Sequence, residues 1–217
     1  MPARRMFVVA GLPGGGKSSF FALSGFADHV FNADDRAAEL NAGSYENIPT
    51  AVRAAVNGEF EDFVHGNIQA GTSFALETTL RSAMTFEQAK LARENGFRVS
   101  MFYVALDTVE RHIERVMRRA ARGGHSASES TLRKIHASSL GNLPTALVPN
   151  ESGIEIVQIY DNSRSDSRPR LALEPRRGRI VRLADSFPEW LQQALGWTQH
   201  DLELCKRESR RCRDVEG

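Results

Sequence analysis

The fold is decided by Gly11-Leu12-Pro13-Gly14-Gly15-Gly16-Lys17-Ser18, which satisfies G-x-x-x-x-G-K-[ST]. Directly before it, residues 7–10 read Phe-Val-Val-Ala, a buried-strand run, and a helix can start at Lys17. A strand, a glycine-rich loop and a helix in that order let backbone N–H groups converge on phosphate oxygens without Cβ obstruction. The helix N-terminus adds a partial positive charge. In that context the loop from Gly11 to Ser19 cradles phosphates, Lys17 reaches the β- and γ-phosphates, and the Ser18 hydroxyl ligates Mg²⁺. The bland alternative is a glycine-rich turn. With glycine near 7% of residues, a chance match in a chain this long is on the order of 1%.

Working outward, short strand-like runs fall at 30–33, 72–77, 99–105 and 154–160. Helical periods lie between them. Ala55, Val56, Phe60, Phe63, Val64 and Ile68 share one helical face. Thr85 with Gln88 reads as a capping box for a helix stopping at Asn95-Gly96. Strands alternating with helices predict an α/β fold, a parallel five-stranded sheet covered on both faces. After Asp161 the character changes. Two runs flanking Glu174-Pro175-Arg176-Arg177-Gly178 predict a C-terminal hairpin, and Trp190, Leu191 and Leu195 a final helix. We read residues 1–197 as a single domain and 198–217 as a charged, mobile tail.

The chain has 217 residues, 28 basic and 27 acidic side chains, and 41% apolar residues. Its balanced charge argues against a nucleic-acid coat or a polybasic membrane binder, which need one sign in excess. The two cysteines, Cys205 and Cys212, both fall late in the chain, which excludes a disulfide framework and fits a reducing compartment. No run approaches the roughly 20 apolar residues of a membrane span. Pro13 and the glycines interrupt the run at 6–12 too early for a secretory signal. The expectation is a cytoplasmic protein.

Kinases, motor ATPases and GTPase switches share the phosphate loop, so further residues must discriminate. The run at 99–106 ends at Asp107, which reads better as a helix N-cap than as a magnesium ligand. No guanine-recognition sequence of the N-K-x-D type is present. A kinase needs a group that orients a hydroxyl and takes its proton. Asn32-Ala33-Asp34-Asp35 ends the second strand run, where strand C-termini open onto a ligand crevice. Asp34 is the candidate base, with Asp35 capping the following helix. At the third strand end, Glu77 and Thr79 are placed to hydrogen-bond an acceptor; Glu77 could instead contact Mg²⁺ through water, and Thr79 or Ser82 could cap the next helix.

Arg115, Arg118, Arg119 and Arg122 run into Gly123-Gly124-His125, and Arg133 and Lys134 follow. Planar, permanently charged guanidinium groups suit the equatorial oxygens of a transferring phosphoryl group. Two helices about a glycine hinge read as a closing lid over 115–140. Arg119 and Arg133 are its leading residues. His125 reads as a hinge or cap contact. Two other readings stay open. One is a regulatory ATPase without phosphotransfer. The other is a nucleic-acid 5′-kinase using Arg164, Arg168, Arg170, Arg176 and Arg177, although a solvated hairpin is the simpler reading of that strip.

In order along the chain, G-L-P-G-G-G-K-S-S, F-N-A-D, L-E-T-T-L, the run from A-L-D to R-R-A-A-R-G-G-H, S-S-L-G-N-L and I-Y-D-N-S together resemble the zeta toxin family of P-loop kinases. They span residues 6 to about 163. The resemblance implies ATP and Mg²⁺, Lys17 on the phosphates, Asp34 as base, Glu77 and Thr79 on the substrate, and Arg119 and Arg133 as lid arginines. It also implies a small-molecule hydroxyl as phosphate acceptor, UDP-N-acetylglucosamine in characterised members. An antitoxin protein is a possible partner that the sequence does not reveal, and it would have to occlude the phosphate-loop crevice. Asn162 would lie near the nucleotide base. The chain departs from the family's pattern at Ser126-Ala127-Ser128, where Val-Pro is common, and at Ile135-His136, which replace Arg-Tyr.

Overall fold

The run before the phosphate loop becomes β1, the third strand of a seven-stranded sheet ordered β2-β3-β1-β4-β5-β6-β7. The computed structural model describes residues 3–44, 47–122, 127–164 and 168–216. Strands β1 (Arg5–Gly11), β2 (His29–Asn32), β3 (Phe74–Thr78), β4 (Arg98–Ala105) and β5 (Ile156–Asp161) are mutually parallel. Val8, Val9 and Ala10 are buried on consecutive positions, as a parallel strand covered on both faces requires.

The expected five-stranded sheet is therefore part of a larger mixed one. Strands β6 (Arg170–Arg176) and β7 (Arg179–Leu183) form the hairpin, and β6 pairs antiparallel with β5. The turn is only Arg177-Gly178, both at positive φ, the two-residue connection that matches strand twist. Pro175 reads as a turn residue in the sequence. It sits instead inside β6, at the register shift between Glu174 and Pro175, where a residue lacking an N–H is tolerated.

Helix α1 (Lys17–Phe20) follows the phosphate loop, α2 (Ala33–Leu40) follows β2, and α3 (Thr50–Ala70) carries the periodic apolar face. Helices α4 (Met84–Glu94), α5 (Val109–Ala120), α6 (Glu129–Ala146), α7 (Pro149–Ser152) and α8 (Glu189–Leu195) follow in order. Three capping expectations are corrected. Helix α4 has Ala83 at its N-cap with no side-chain cap, and Thr85 faces Thr78 instead, hydroxyl to hydroxyl at 3.4 Å. Thr108, not Asp107, caps α5, and Asp107 pairs with Arg111 one turn on. Asn32, not Asp35, caps α2 by accepting from the Asp34 and Asp35 amides.

The main core joins Met6, Phe74, Leu76, Phe97, Met101 and Ile159 of the sheet region with helix residues such as Val64, Ala89, Leu143 and Leu191. A smaller cluster of Ala37, Ile48 and Val56 seats α2 on α3. The segment set apart as a tail contains α9 (Gln199–Glu216). Its Leu202 is buried in the main core, and its Ser209 Oγ donates to the Val181 carbonyl of β7 at 3.4 Å. No helix among the described residues is long and apolar enough to cross a membrane.

Candidate active site

The register of the five parallel strands brings their C-terminal ends to the same side, so Gly11, Asn32, Glu77, Leu106 and Asn162 meet at one end of the sheet, where loops open a crevice. A cavity of about 440 Å³ lies there, lined by Leu12 to Gly14, Gly16 to Phe20, Asn32, Asp34, Asp35, Glu77, Arg115, Arg119 and Asn162.

Residues 11–16 bend tightly enough that Gly16 takes a φ of 102° and caps α1 in the left-handed region. A Cβ on Gly16 would also meet Asn162 Nδ2. The loop is held by its carbonyls. Lys17 Nζ donates to the Gly11 carbonyl at 3.0 Å and the Leu12 carbonyl at 3.3 Å. Asn162 Nδ2 donates to the Gly15 carbonyl at 2.8 Å. His112 Nδ1 lies 2.9 Å from the Pro13 carbonyl. The Gly15 amide is also engaged, donating to the Leu12 carbonyl at 3.0 Å; with these groups held within the loop, its other amides are the donors that can turn to an anion in the cavity.

His112 is the site residue that the sequence reading passes over. It is 2% exposed on α5, and its Nε2 accepts from the Leu106 amide at 2.9 Å. An amide can only donate, so the ring proton belongs on Nδ1, which donates to Pro13. Burial pushes the imidazole down to about 3, against the weaker upward pull of the Pro13 carbonyl, with His136, Lys17 and Arg115 lowering it further. A neutral ring thus ties the end of β4 to the phosphate loop. Its position four residues before buried Val116 is the available signal: both fall on the covered face of the helix.

Lys17 is almost fully buried and lies 3.5 Å from Glu77 Oε1, while Ser18 Oγ donates to Glu77 Oε2 at 3.4 Å. Glu77 therefore stands between the loop lysine and the hydroxyl expected to ligate metal. A hydroxyl beside a carboxylate suits magnesium, which takes few protein oxygens and completes its shell with phosphate oxygens and water. Among the described residues no group of three His, Cys, Asp or Glu could hold a metal on its own.

Asp34 lines the cavity from the first turn of α2 rather than from the strand end. Arg115 and Arg119 reach the cavity from α5, one helical turn apart. Arg115 is half-buried and donates to the Asn162 carbonyl at 3.3 Å. Burial, then Arg111 and Arg118, lower its pKa.

Not every expected residue converges. Arg133 sits on α6 between Glu110 at 2.9 Å and Glu129 at 2.8 Å and is absent from the cavity lining. Thr79 follows β3, half-buried, and is likewise outside that lining. Asn162 lines the cavity as a clamp on Gly15. The hinge Gly123-Gly124-His125 lies outside the described residues. In the arginine strip of the hairpin, Arg176 pairs with fully buried Glu174 and Arg177 lies 3.7 Å from Glu155, so part of its charge is neutralised internally.

No family model matches the chain. Over 69 residues it is 32% identical to an uncharacterized protein of Haemophilus influenzae, a match covering 32% of this chain and 49% of that protein. The match thus spans about half the length of that relative. Among solved structures, one from the PezAT chromosomal toxin–antitoxin system of Streptococcus pneumoniae superposes with a TM-score of 0.56 at 16% identity, covering 99% of this chain and 88% of that one. The AvrRxo1-ORF1:-ORF2 complex gives 0.61 at 13% identity, covering 95% and 64%. The same complex solved with ATP gives 0.61 at 12%. At such identities the likeness speaks for the fold. The chain shares its fold with these solved structures.

Proposed function

We propose that the protein is an ATP-dependent phosphotransferase that moves the γ-phosphate to a hydroxyl of a small molecule. One observation carries this reading: a carbonyl-clamped phosphate loop with Lys17 shares its cavity with a carboxylate, Asp34, and two arginines, Arg115 and Arg119. A binding switch needs only the loop. An added carboxylate and charge-stabilising arginines suit transfer to a hydroxyl.

In this reading the loop amides hold the phosphates, and Lys17 exchanges its contacts with Gly11, Leu12 and Glu77 for the β- and γ-phosphate oxygens. Ser18 and Glu77 would hold magnesium, which neutralises charge on those oxygens. Asp34 orients the acceptor hydroxyl and takes its proton. The new O–P bond forms as the bond from the γ-phosphorus to the β–γ bridging oxygen breaks, and ADP leaves. Arg119, exposed at the rim, and Arg115, deeper in, face the charge that spreads over the equatorial oxygens. Thr79 contacts the acceptor only after local rearrangement, and Arg133 only after leaving Glu110 and Glu129. The sugar-nucleotide acceptor implied by the family resemblance is one member of the hydroxyl class. Both structural neighbours belong to two-component systems or complexes, and a protein inhibitor seated over this crevice is the corresponding partner for this chain.

The test is transfer of labelled γ-phosphate from ATP to a panel of sugars, sugar nucleotides and nucleosides. Asp34→Asn is expected to lower kcat by roughly 10²–10⁴-fold while ATP affinity holds. Full activity in that variant removes Asp34 as the base. ATP binding with no phosphorylated product from any acceptor returns the protein to the regulatory ATPases.

A further inference from the structure

A second cavity, of about 480 Å³, adjoins the first. The two share Ser18, Asn32, Asp35 and Glu77, so a molecule seated in the second can present a hydroxyl to the phosphate loop. Its far end runs between the 3-10 turn Leu23–Gly25, the outer edge of β2 and helix α2. Ala22, Leu23, Val30 and Phe31 give it an apolar wall. Such a surface suits the carbon-bound face of a sugar ring, with polar groups at the rim fixing orientation.

The cavity's charge decides what ring fits. Among the described residues its lining contains one cation, Arg36. Each of the three nitrogens of that guanidinium already donates to a carboxylate. Nε and Nη2 bond Glu59 at 2.6 and 3.1 Å, and Nη1 bonds Glu39 at 2.9 Å. Both partners hold the guanidinium above its usual pKa, and Arg36 in turn lowers that of Glu59. Two carboxylates on one guanidinium leave this corner net negative. A phosphorylated ring entering here would lose its water, meet like charge, and find three of the five Arg36 N–H donors already given to Glu59 and Glu39.

We propose that this second cavity is the acceptor site and that it selects an uncharged, sugar-like polyol over phosphorylated or nucleotide-linked sugars. The proposal rests on the phosphotransferase reading and narrows its acceptor class away from the sugar nucleotide of the family resemblance. Selection here acts by exclusion, since the wrong partner is refused by repulsion and desolvation rather than by lack of contacts.

N-acetylglucosamine, its 1-phosphate and UDP-N-acetylglucosamine present one ring with increasing charge, and they are the probes. Equilibrium binding is measured with magnesium and a non-hydrolysable ATP analogue present, alongside transfer from ATP. The free sugar is expected to bind at least tenfold more tightly than its 1-phosphate. Glu59→Gln removes one negative charge and one of the two oxygens that hold Arg36, and is expected to cut that ratio by about tenfold, chiefly by improving binding of the 1-phosphate, with affinity for the ATP analogue unchanged. Tighter binding of either charged probe by the wild type overturns the proposal, as does binding of none of the three. An unchanged ratio in Glu59→Gln also overturns it. Charge-selective binding with no transfer would instead retain the selectivity and sink the phosphotransferase reading.

Discussion

At the scale of single residues, the two arginines singled out in the sequence as lid groups part company. Arg119 lines the phosphate cavity, whereas Arg133 is divided between two glutamates on the flank of α5 and α6. Sequence spacing places both near a lid. It does not say which carboxylate each meets first, because Glu110 lies far from Arg133 in sequence and reaches it only once α5 and α6 pack. A preorganised donor aimed at developing charge is worth roughly 3 kcal/mol, so Arg119→Ala is expected to lower kcat by about 10²-fold. Arg133→Ala is expected to change it by less than threefold, since its charge is already satisfied in exposed pairs of small worth. Steady-state kinetics on the two variants side by side check this. Equal losses would mean that Arg133 moves into the site during turnover.

At the scale of elements, α5 joins the strand end Leu106 to the loop residue Pro13 through His112. Its buried face includes a polar ring in place of an aliphatic one, which costs nothing only while the ring is neutral and both nitrogens are bonded. The unfolded chain holds the ring near 6.5, and the folded one holds it at about 3. Between those values the unfolded state binds more protons. Stability is therefore complete above pH 6.5 and falls as the pH drops toward 3, by at most about 1.4 kcal/mol per unit from this group. Denaturant unfolding from pH 7.5 to 4.5 is expected to show this slope in the wild type. His112→Gln, which keeps a donor and an acceptor but cannot charge, should lose that share of it; the same slope in both would assign the pH response elsewhere.

The elements themselves are largely legible in the sequence: the five parallel strands lie within two residues of their periodic apolar runs. Caps and turns are less so. Asn32 displaces Asp35 as cap of α2, because the residue that accepts from the second and third helical amides is fixed by where the strand ends. Pro175 reads as a turn because its missing N–H is a local property, whereas the bulge that accommodates it is set by pairing with β7. The phosphate loop is legible to the residue, since its chemistry is carried by the backbone of a contiguous run. The roles of His112 and Arg133 are not, since both depend on contacts between distant segments. The 6.0 Å approach of the His112 ring to that of His136 across α5 and α6 is of the same kind.

At the scale of the whole molecule, the phosphate-loop crevice and the hairpin lie on different parts of one sheet, so they can be perturbed separately. Leu202 of α9 is 5% exposed and belongs to the main core together with Leu183 and Trp190. Leu202→Ala is expected to cost about 2–5 kcal/mol of unfolding free energy and to leave ATP affinity unchanged in the surviving folded fraction. Thermal denaturation paired with calorimetric ATP titration separates the two. A parallel loss of affinity would mean that α9 supports the phosphate loop through the sheet. Helix α9 also bears on what the molecule does among its own copies. β7 closes the sheet order, and its outer margin would offer unpaired carbonyls and amides to a strand from another molecule. Ser209 occupies one of those carbonyls, at Val181, so the helix covers part of that margin, and a chain cut short before it would lose the core packing of Leu202 and lay the margin open to self-association by strand addition.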